Sequence, residues 1–319
     1  MVLINVTVEK VTREAEGVRA FVLVKKGLFK LPTYAPGAHI DVHCGEGIIR
    51  QYSLCGDPND RRRLMIAVRQ VDPSRGGSDL MHRAVHEGDR LEIGAPRNNF
   101  PLDESAAHSV LLAAGIGITP IIAMADHLHA LGRSFELQYF SRAAEHTAFR
   151  ARLEQGNYGS KVTFHEGLDV TATGQALCDI LVEPIPGGQV YMCGPGPFMD
   201  CAEAAAQVHW PSDAINLERF AAKPALAGAS SKPFTVELAR SGVSLDVAAD
   251  ETILEVLEAN QIDAAFSCEQ GVCGTCVCDV VSGQPDHRDS FLSAHQRRSG
   301  RVMCLCVSRA AGGKIVLDI

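Results

Sequence analysis

One ten-residue stretch near the C-terminal end constrains this chain more than any other: Ser267-Cys268-Glu269-Gln270-Gly271-Val272-Cys273-Gly274-Thr275-Cys276. Its three cysteines stand in a C-x4-C-x2-C array. A fourth candidate, Cys306, lies in Met303-Cys304-Leu305-Cys306-Val307. Thiolates so spaced meet at one place only if the chain wraps tightly, and Gly271 and Gly274 supply the backbone freedom. A loop turned in this way aims its N–H groups inward, where they stabilise a negatively charged metal–sulfur centre. A structural zinc would also take four thiolates. Such sites usually read as two C-x2–4-C pairs, however, and the second pair is missing here.

The array has the plant-type ferredoxin spacing for a 2Fe–2S cluster. Cys268, Cys273 and Cys276 are the first three expected ligands. The separation from Cys276 to Cys306 and the Cys306-Val307 pair both resemble plant ferredoxins. Cys304 would point the same way as Cys306 in a strand, so spacing selects Cys306. Cys278 reads as a small strand residue. Cys44, Cys55, Cys178 and Cys201 read as buried thiols. No Cys-x-His pair suggests a Rieske centre within this chain.

A chain of 319 residues implies two or three domains. A net charge of -8 and the lack of a basic tract argue against a nucleic-acid partner. Ser109–Ala125, the longest uncharged apolar run, is broken by Gly115, Gly117 and Pro120 and is too short to span a bilayer. Met1-Val2-Leu3-Ile4-Asn5-Val6 has neither a basic start nor a long apolar core, so a cytoplasmic chain is expected. Eleven clustered cysteines then point to a metal protein rather than to disulfides.

Residues 2–95 alternate in the manner of short strands, with turns at Glu16-Gly17, Pro36-Gly37 and Gly45-Glu46-Gly47, which predicts an antiparallel β-barrel. Within it lies Arg50-Gln51-Tyr52-Ser53-Leu54. In a strand, Arg50, Tyr52 and Leu54 share one face, and Gln51 and Ser53 the other. Arg75-Gly76-Gly77-Ser78 precedes the helical spacing of Asp79–Val85. A Gly-Gly-Ser helix start presents unpaired N–H groups and can hold a phosphate, although it also serves as an ordinary capped loop.

From Ser109 strands and helices alternate, which predicts an α/β doubly wound parallel sheet. Helices are expected at 121–131 and 143–154, and from Gly194-Pro195-Gly196-Pro197 through Ala206. Gly115-Ile116-Gly117-Ile118-Thr119-Pro120 and Cys193-Gly194-Pro195 fall at strand C-terminal ends, where such sheets bind ligands. Ser141-Arg142 ends the next strand. It carries no adjacent carboxylate, so the residues leave NADH and NADPH open. Ile215–Phe220 closes this part. Residues 221–232 are rich in Ala, Gly, Ser and Pro and read as a linker. A hairpin at 234–247, a helix at 251–259 capped by Asp250, the cysteine loop and a last strand at 314–319 suit a β-grasp ferredoxin.

These motifs in this order resemble the ferredoxin reductase superfamily. The chain most resembles the phthalate dioxygenase reductase family, through "RQYSL", "RGGS", "GIGITP", "CGPGPF", "SCEQGVCGTC" and "GQPDHRDSFLS". The resemblance implies a flavin barrel at 1–102, an NAD(P)H domain at 103–220, a linker at 221–232 and a plant-type ferredoxin at 233–319. It implies FMN held by Arg50, Gln51, Tyr52, Ser53, Ala67, Val68, Arg69, Gly76, Gly77 and Ser78. It places NADH, the favoured donor, at Gly115, Gly117, Thr119, Ser141, Arg142, Cys193 and Gly194, with Phe220 approaching the flavin. Ser53 and Cys193 are the residues expected on the hydride path. The resemblance further implies a monomer that passes electrons to a terminal Rieske-type oxygenase. The reading from a different class is a redox-sensing or binding protein with a structural metal in the cysteine loop.

Overall fold

The computed structural model describes residues 3–27, 30–45, 47–74, 76–221 and 232–319. The expected linker lies almost wholly outside them, as does Arg75. The chain forms two compact units, Met1–Glu218 and Arg219–Ile319.

The first unit opens with β1 (Ile4–Ala15), β2 (Val18–Val24), β3 (Ala38–Gly45), β4 (Ile48–Ser53) and β5 (Arg63–Arg69). Helix α1 (Gly77–Arg83), β6 (Arg90–Ile93) and the short β7 (Arg97–Asn98) follow. The sheet runs β4-β3-β6-β1-β2-β5, all antiparallel, and an isolated bridge from Leu54 to Ile66 joins its two ends. Alternation explains the closure. Ala38, Ile40 and Val42 of β3 and Leu64, Ile66 and Val68 of β5 fill the barrel. Ala67, from the other face of β5, joins a second core with Leu111, Ile121 and Tyr139 of the α/β part. Arg152 ties the same seam by donating to the Cys55 carbonyl at 2.8 Å while pairing with Asp126.

The α/β part comprises β8 (Ser109–Ala114), α2 (Ile118–Ala130), β9 (Phe135–Ser141), α3 (Arg150–Gln155) and β10 (Val162–Glu166). It continues through α4 (Val170–Leu181), β11 (Gln189–Cys193), α5 (Gly196–His209) and β12 (Ile215–Glu218). Its parallel sheet has the order β10-β9-β8-β11-β12, so the direction of winding switches between β8 and β11. All six residues of β8 are buried, as its uninterrupted apolar run requires. Helix α2 begins earlier than expected because Pro120 is tolerated in a first turn. The helix expected over 143–154 is broken. A 3-10 turn at Ala144–His146 precedes α3, and Phe149 is left-handed at φ 60°. Buried polar bonds hold the break: Ala148 N–H donates to the Tyr139 hydroxyl, and the Thr147 hydroxyl donates to Glu166.

The second unit contains β13 (Phe234–Leu238), β14 (Ser244–Val247), α6 (Ile253–Ala259), β15 (Val277–Ser282), β16 (Pro285–Asp286), α7 (Ala294–Ser299), β17 (Val302–Cys304), β18 (Arg309–Ala310) and β19 (Lys314–Leu317). Its main sheet runs β14-β13-β19-β15-β17, with β13 and β19 parallel, which is the β-grasp arrangement. The cap of α6 is Thr252 rather than Asp250. Thr252 and Glu255 bond reciprocally, and this two-way cap satisfies two amide donors where Asp250 would satisfy one. Of the four cysteines expected as buried thiols, Cys44 and Cys55 are buried, Cys201 is half-buried and Cys178 is exposed. The outer face of α4, which carries Cys178, is not covered. Among the described residues no helix is long and apolar enough to cross a membrane.

Candidate functional site

Strand β4 divides its side chains as alternation requires. Tyr52 packs against the barrel core, with its hydroxyl bonded to the Cys44 thiol. Gln51 donates to Asp41 at 3.0 Å, and Asp41 also holds Arg97 at 2.7 and 2.8 Å. Arg50 lies across the start of α1. A Cβ on Gly77 would stand 2.4 Å from Arg50 Cγ and 2.9 Å from its Nε, so only glycine lets the guanidinium reach this helix end. Gly76, at φ 88°, turns the chain into the helix, and no side chain caps the first N–H groups. Charge, dipole and open amides thus coincide where a phosphate would sit. The Ser78 hydroxyl is within 3.0 Å of Ser74 Oγ and accepts from Val71 N–H at 3.3 Å.

Ala67 and Val68 are buried on opposite faces of β5, and Arg69 is exposed at its end. Arg69 borders a cleft of about 510 Å³ at the strand ends of the α/β sheet. Gly115, Ser141, Arg142 and Phe198 also line it, together with His165, which stacks on Phe140 at 4.3 Å. Gly117 and Thr119 also have a packing role. A Cβ on Gly117 would stand 2.2 Å from the Cys193 carbonyl oxygen, so this glycine packs the two strand-end loops together. Thr119 is buried and donates its hydroxyl to Ile116 O at 3.0 Å. Gly194 is also tightly packed, with a Cβ there 2.8 Å from Ala114 Cβ. Phe220 lies in the second unit, which begins at Arg219, and is exposed.

Three strand ends converge at one point. Ser53, at the end of β4, donates its hydroxyl to Glu218 Oε2 at 3.4 Å. Glu218 ends β12 beside Cys193, the end of β11. Burial pushes the Glu218 carboxyl up to about 8, and the Ser53 hydroxyl partly opposes the rise. Burial, and then the neighbouring Glu218, push the Cys193 thiol well up, so it stays neutral. Glu218 was missed as a site residue. The only signal for it was its place in the Glu218-Arg219-Phe220 tail.

The cysteine loop is built from the turns its sequence predicts. Glu269, Gly271 and Gly274 are left-handed, at φ 55°, 66° and 73°. Cys268, Cys273, Cys276 and Cys306 are all buried. They form two close pairs: Cys268 with Cys273, and Cys276 with Cys306 at 3.2 Å between sulfurs. Backbone N–H groups point at every one of these sulfurs. Gln270 donates to Cys268 at 3.3 Å and Thr275 to Cys273 at 3.4 Å. Leu305 and Cys306 donate to Cys276, and Gly271 donates to Cys306. Two thiolate pairs, each met by amide donors, fit two irons that each take two sulfurs. A single zinc needs all four donors on one point. Cys276 also bonds Cys304, but only Cys306 is reached by an amide of the ligand loop.

The fold and these sites define a multidomain oxidoreductase: a barrel with a phosphate-accepting helix start, a nucleotide cleft on a doubly wound sheet, and a cysteine loop in a β-grasp unit. Residues 236–311 match the family model of the 2Fe-2S iron-sulfur cluster binding domain. The chain is 40% identical over 94% of its length to the vanillate O-demethylase oxidoreductase of Pseudomonas sp. (strain HR199 / DSM 7063), covering 94% of that protein. It is 37% identical to the solved phthalate dioxygenase reductase, described as a modular structure for electron transfer from pyridine nucleotides to [2Fe-2S]. There the TM-score is 0.77, with 99% of this chain and 98% of that one covered. Against an intact type IV self-sufficient cytochrome P450 monooxygenase the TM-score is 0.86 at 38% identity over 99% of this chain, which spans 41% of that longer protein. The chain belongs to the phthalate dioxygenase reductase family.

Proposed function

We propose that this chain is the NADH-dependent reductase of a Rieske-type oxygenase of the aromatic dioxygenase or demethylase class, with FMN between NADH and the 2Fe–2S cluster. The observation that carries the reading is the convergence of Ser53, Glu218 and Cys193 between a phosphate-accepting barrel and a nucleotide cleft. When bound, the flavin converts a two-electron donor into a source of single electrons for the cluster. Arg50 and the amides of Gly77 and Ser78 would hold one phosphate, as FMN requires, while Tyr52 and the backbone of Gln51, Ala67 and Val68, whose side chains are committed to Asp41 and to the two cores, would line the ring. Ser53, whose hydroxyl donates to Glu218, would stand at the reacting edge of the ring. Cys193, fully buried and neutral, would back the nicotinamide site without adding charge. Gly115, Ser141, Arg142 and Arg69 hold the rest of NADH, with Gly117, Thr119 and Gly194 keeping the loops packed. Cys268, Cys273, Cys276 and Cys306 bind the cluster. The division into 1–102, 103–220, a 221–232 linker and 233–319 follows these tasks. The protein works as a monomer in the cytoplasm, where thiols stay reduced.

Anaerobic titration of the purified protein with NADH, with the released flavin identified, tests this order. FMN is expected, and NADH should bleach both the flavin and the cluster bands. A protein without flavin, or one that NADH does not bleach, would refute the reading. Gly77→Ala should displace Arg50 and weaken FMN binding by about tenfold, equivalent to ~1.4 kcal/mol. Flavin retention after gel filtration and a fluorescence titration read this out, and unchanged affinity would remove Arg50 from the phosphate site.

A further inference from the structure

Gly283-Gln284-Pro285-Asp286-His287-Arg288-Asp289 supplies no cysteine, and ligand geometry does not explain it. In the fold this segment runs through β16, which pairs with β18 just past Cys306, and ends in a carboxylate with no exposed surface. Asp289 Oδ2 accepts N–H bonds from Phe291 at 3.1 Å and Leu292 at 2.7 Å, and Arg297 stands 3.5 Å away. Asp289 Oδ1 accepts the Ser308 hydroxyl at 3.5 Å, two residues past Cys306, and His287 Nδ1 lies 3.7 Å from it. The backbone closes the arrangement. Ser290 N–H donates to Gly271 O at 2.9 Å, and a Cβ on Gly271 would stand 3.0 Å from Asp289 Cα. Asp289 therefore packs against the loop between Cys268 and Cys273 and also against the segment that carries Cys306. Its charge reaches Cys304.

Accepting that the four cysteines hold the cluster, we propose that Asp289 is a positioning residue whose buried negative charge holds the cluster's reduction potential down, with Arg297 as its partial counter-charge. Reduction adds one electron to a centre already negative. A fixed carboxylate in a low-dielectric setting opposes that electron. Arg297 is 39% exposed, so solvent screens its compensation while Asp289 remains unscreened.

The test is a redox titration of the full-length holoprotein followed by electron paramagnetic resonance, with iron and sulfide assayed in parallel. Asp289→Asn should raise the potential, by about tenfold in the reduction equilibrium or ~59 mV for one electron. Arg297→Met should lower it by a smaller amount. A purely structural role would move both variants in one direction or neither, and either result overturns the proposal. If Asp289→Asn fails to retain its cluster, Arg297→Met decides alone, and an unshifted or raised potential refutes the charge role. Wild-type protein lacking iron and sulfide would instead overturn the ligand assignment, and this proposal with it.

Discussion

Cys268→Ser protein is expected to lose its iron–sulfur absorbance and to deliver electrons to an oxygenase only at background rate, while NADH-dependent ferricyanide reduction stays near the wild-type rate. Cys268 is buried and accepts amide bonds from Gln270 and Val272. A serine hydroxyl in its place keeps its proton at neutral pH and is a poor ligand for a centre that selects soft thiolates. The loss should be confined to the second unit. Ser53, Glu218 and Cys193 belong to the first unit, whose barrel and sheet cores contain no residue of the cysteine loop. Visible spectra, iron content and the two activities measured side by side check this. Loss of both activities would mean that the cluster precedes the flavin or that the units do not fold separately, and would break the proposed electron order.

The rate of flavin reduction by NADH should fall as pH rises through about 8, and Glu218→Gln should abolish that fall. The sign follows from charge. Below its raised titration point Glu218 is neutral. Above it, a carboxylate stands beside Ser53, at the place where reduction delivers negative charge, and it disfavours that charge. Stability follows the same direction. A carboxyl whose folded value lies above its ordinary one binds its proton more tightly when folded, so its contribution is fully present below the ordinary value near 4.5 and is lost as pH rises towards 8. Ser53→Ala should slow the same step by about 10²-fold, the usual cost of removing one oriented donor. It should leave FMN affinity largely unchanged. Stopped-flow reduction from pH 6 to 9 reads out all three proteins. A Glu218→Gln profile that still falls near pH 8 would assign the titration to another group.

Much of this was written in local sequence. The C-x4-C-x2-C array, with Gly271 and Gly274 in left-handed turns, encodes a wrapped loop because its few residues can bring three sulfurs together in few other ways. The unbroken apolar run of β8 and the alternation of β3 and β5 encode their sheets, since side-chain direction along a strand has a period of two. The helix expected at 143–154 failed for the opposite reason. Its spacing is helical, but Tyr139 and Glu166 claim its backbone and hydroxyl groups from two neighbouring strands.

Motif spacing by itself determined the three-part architecture, the cysteine loop and two glycine turns at strand ends, because each depends on neighbours within about ten residues. Tertiary structure alone decided which partners those motifs meet. It brought Glu218 to Ser53 across 165 positions of sequence, and it set Gly117 against Cys193. It also buried Asp289 against Gly271. Such contacts arise from how sheets, barrel and loops pack, and packing is a property of distant surfaces that no short stretch of chain records.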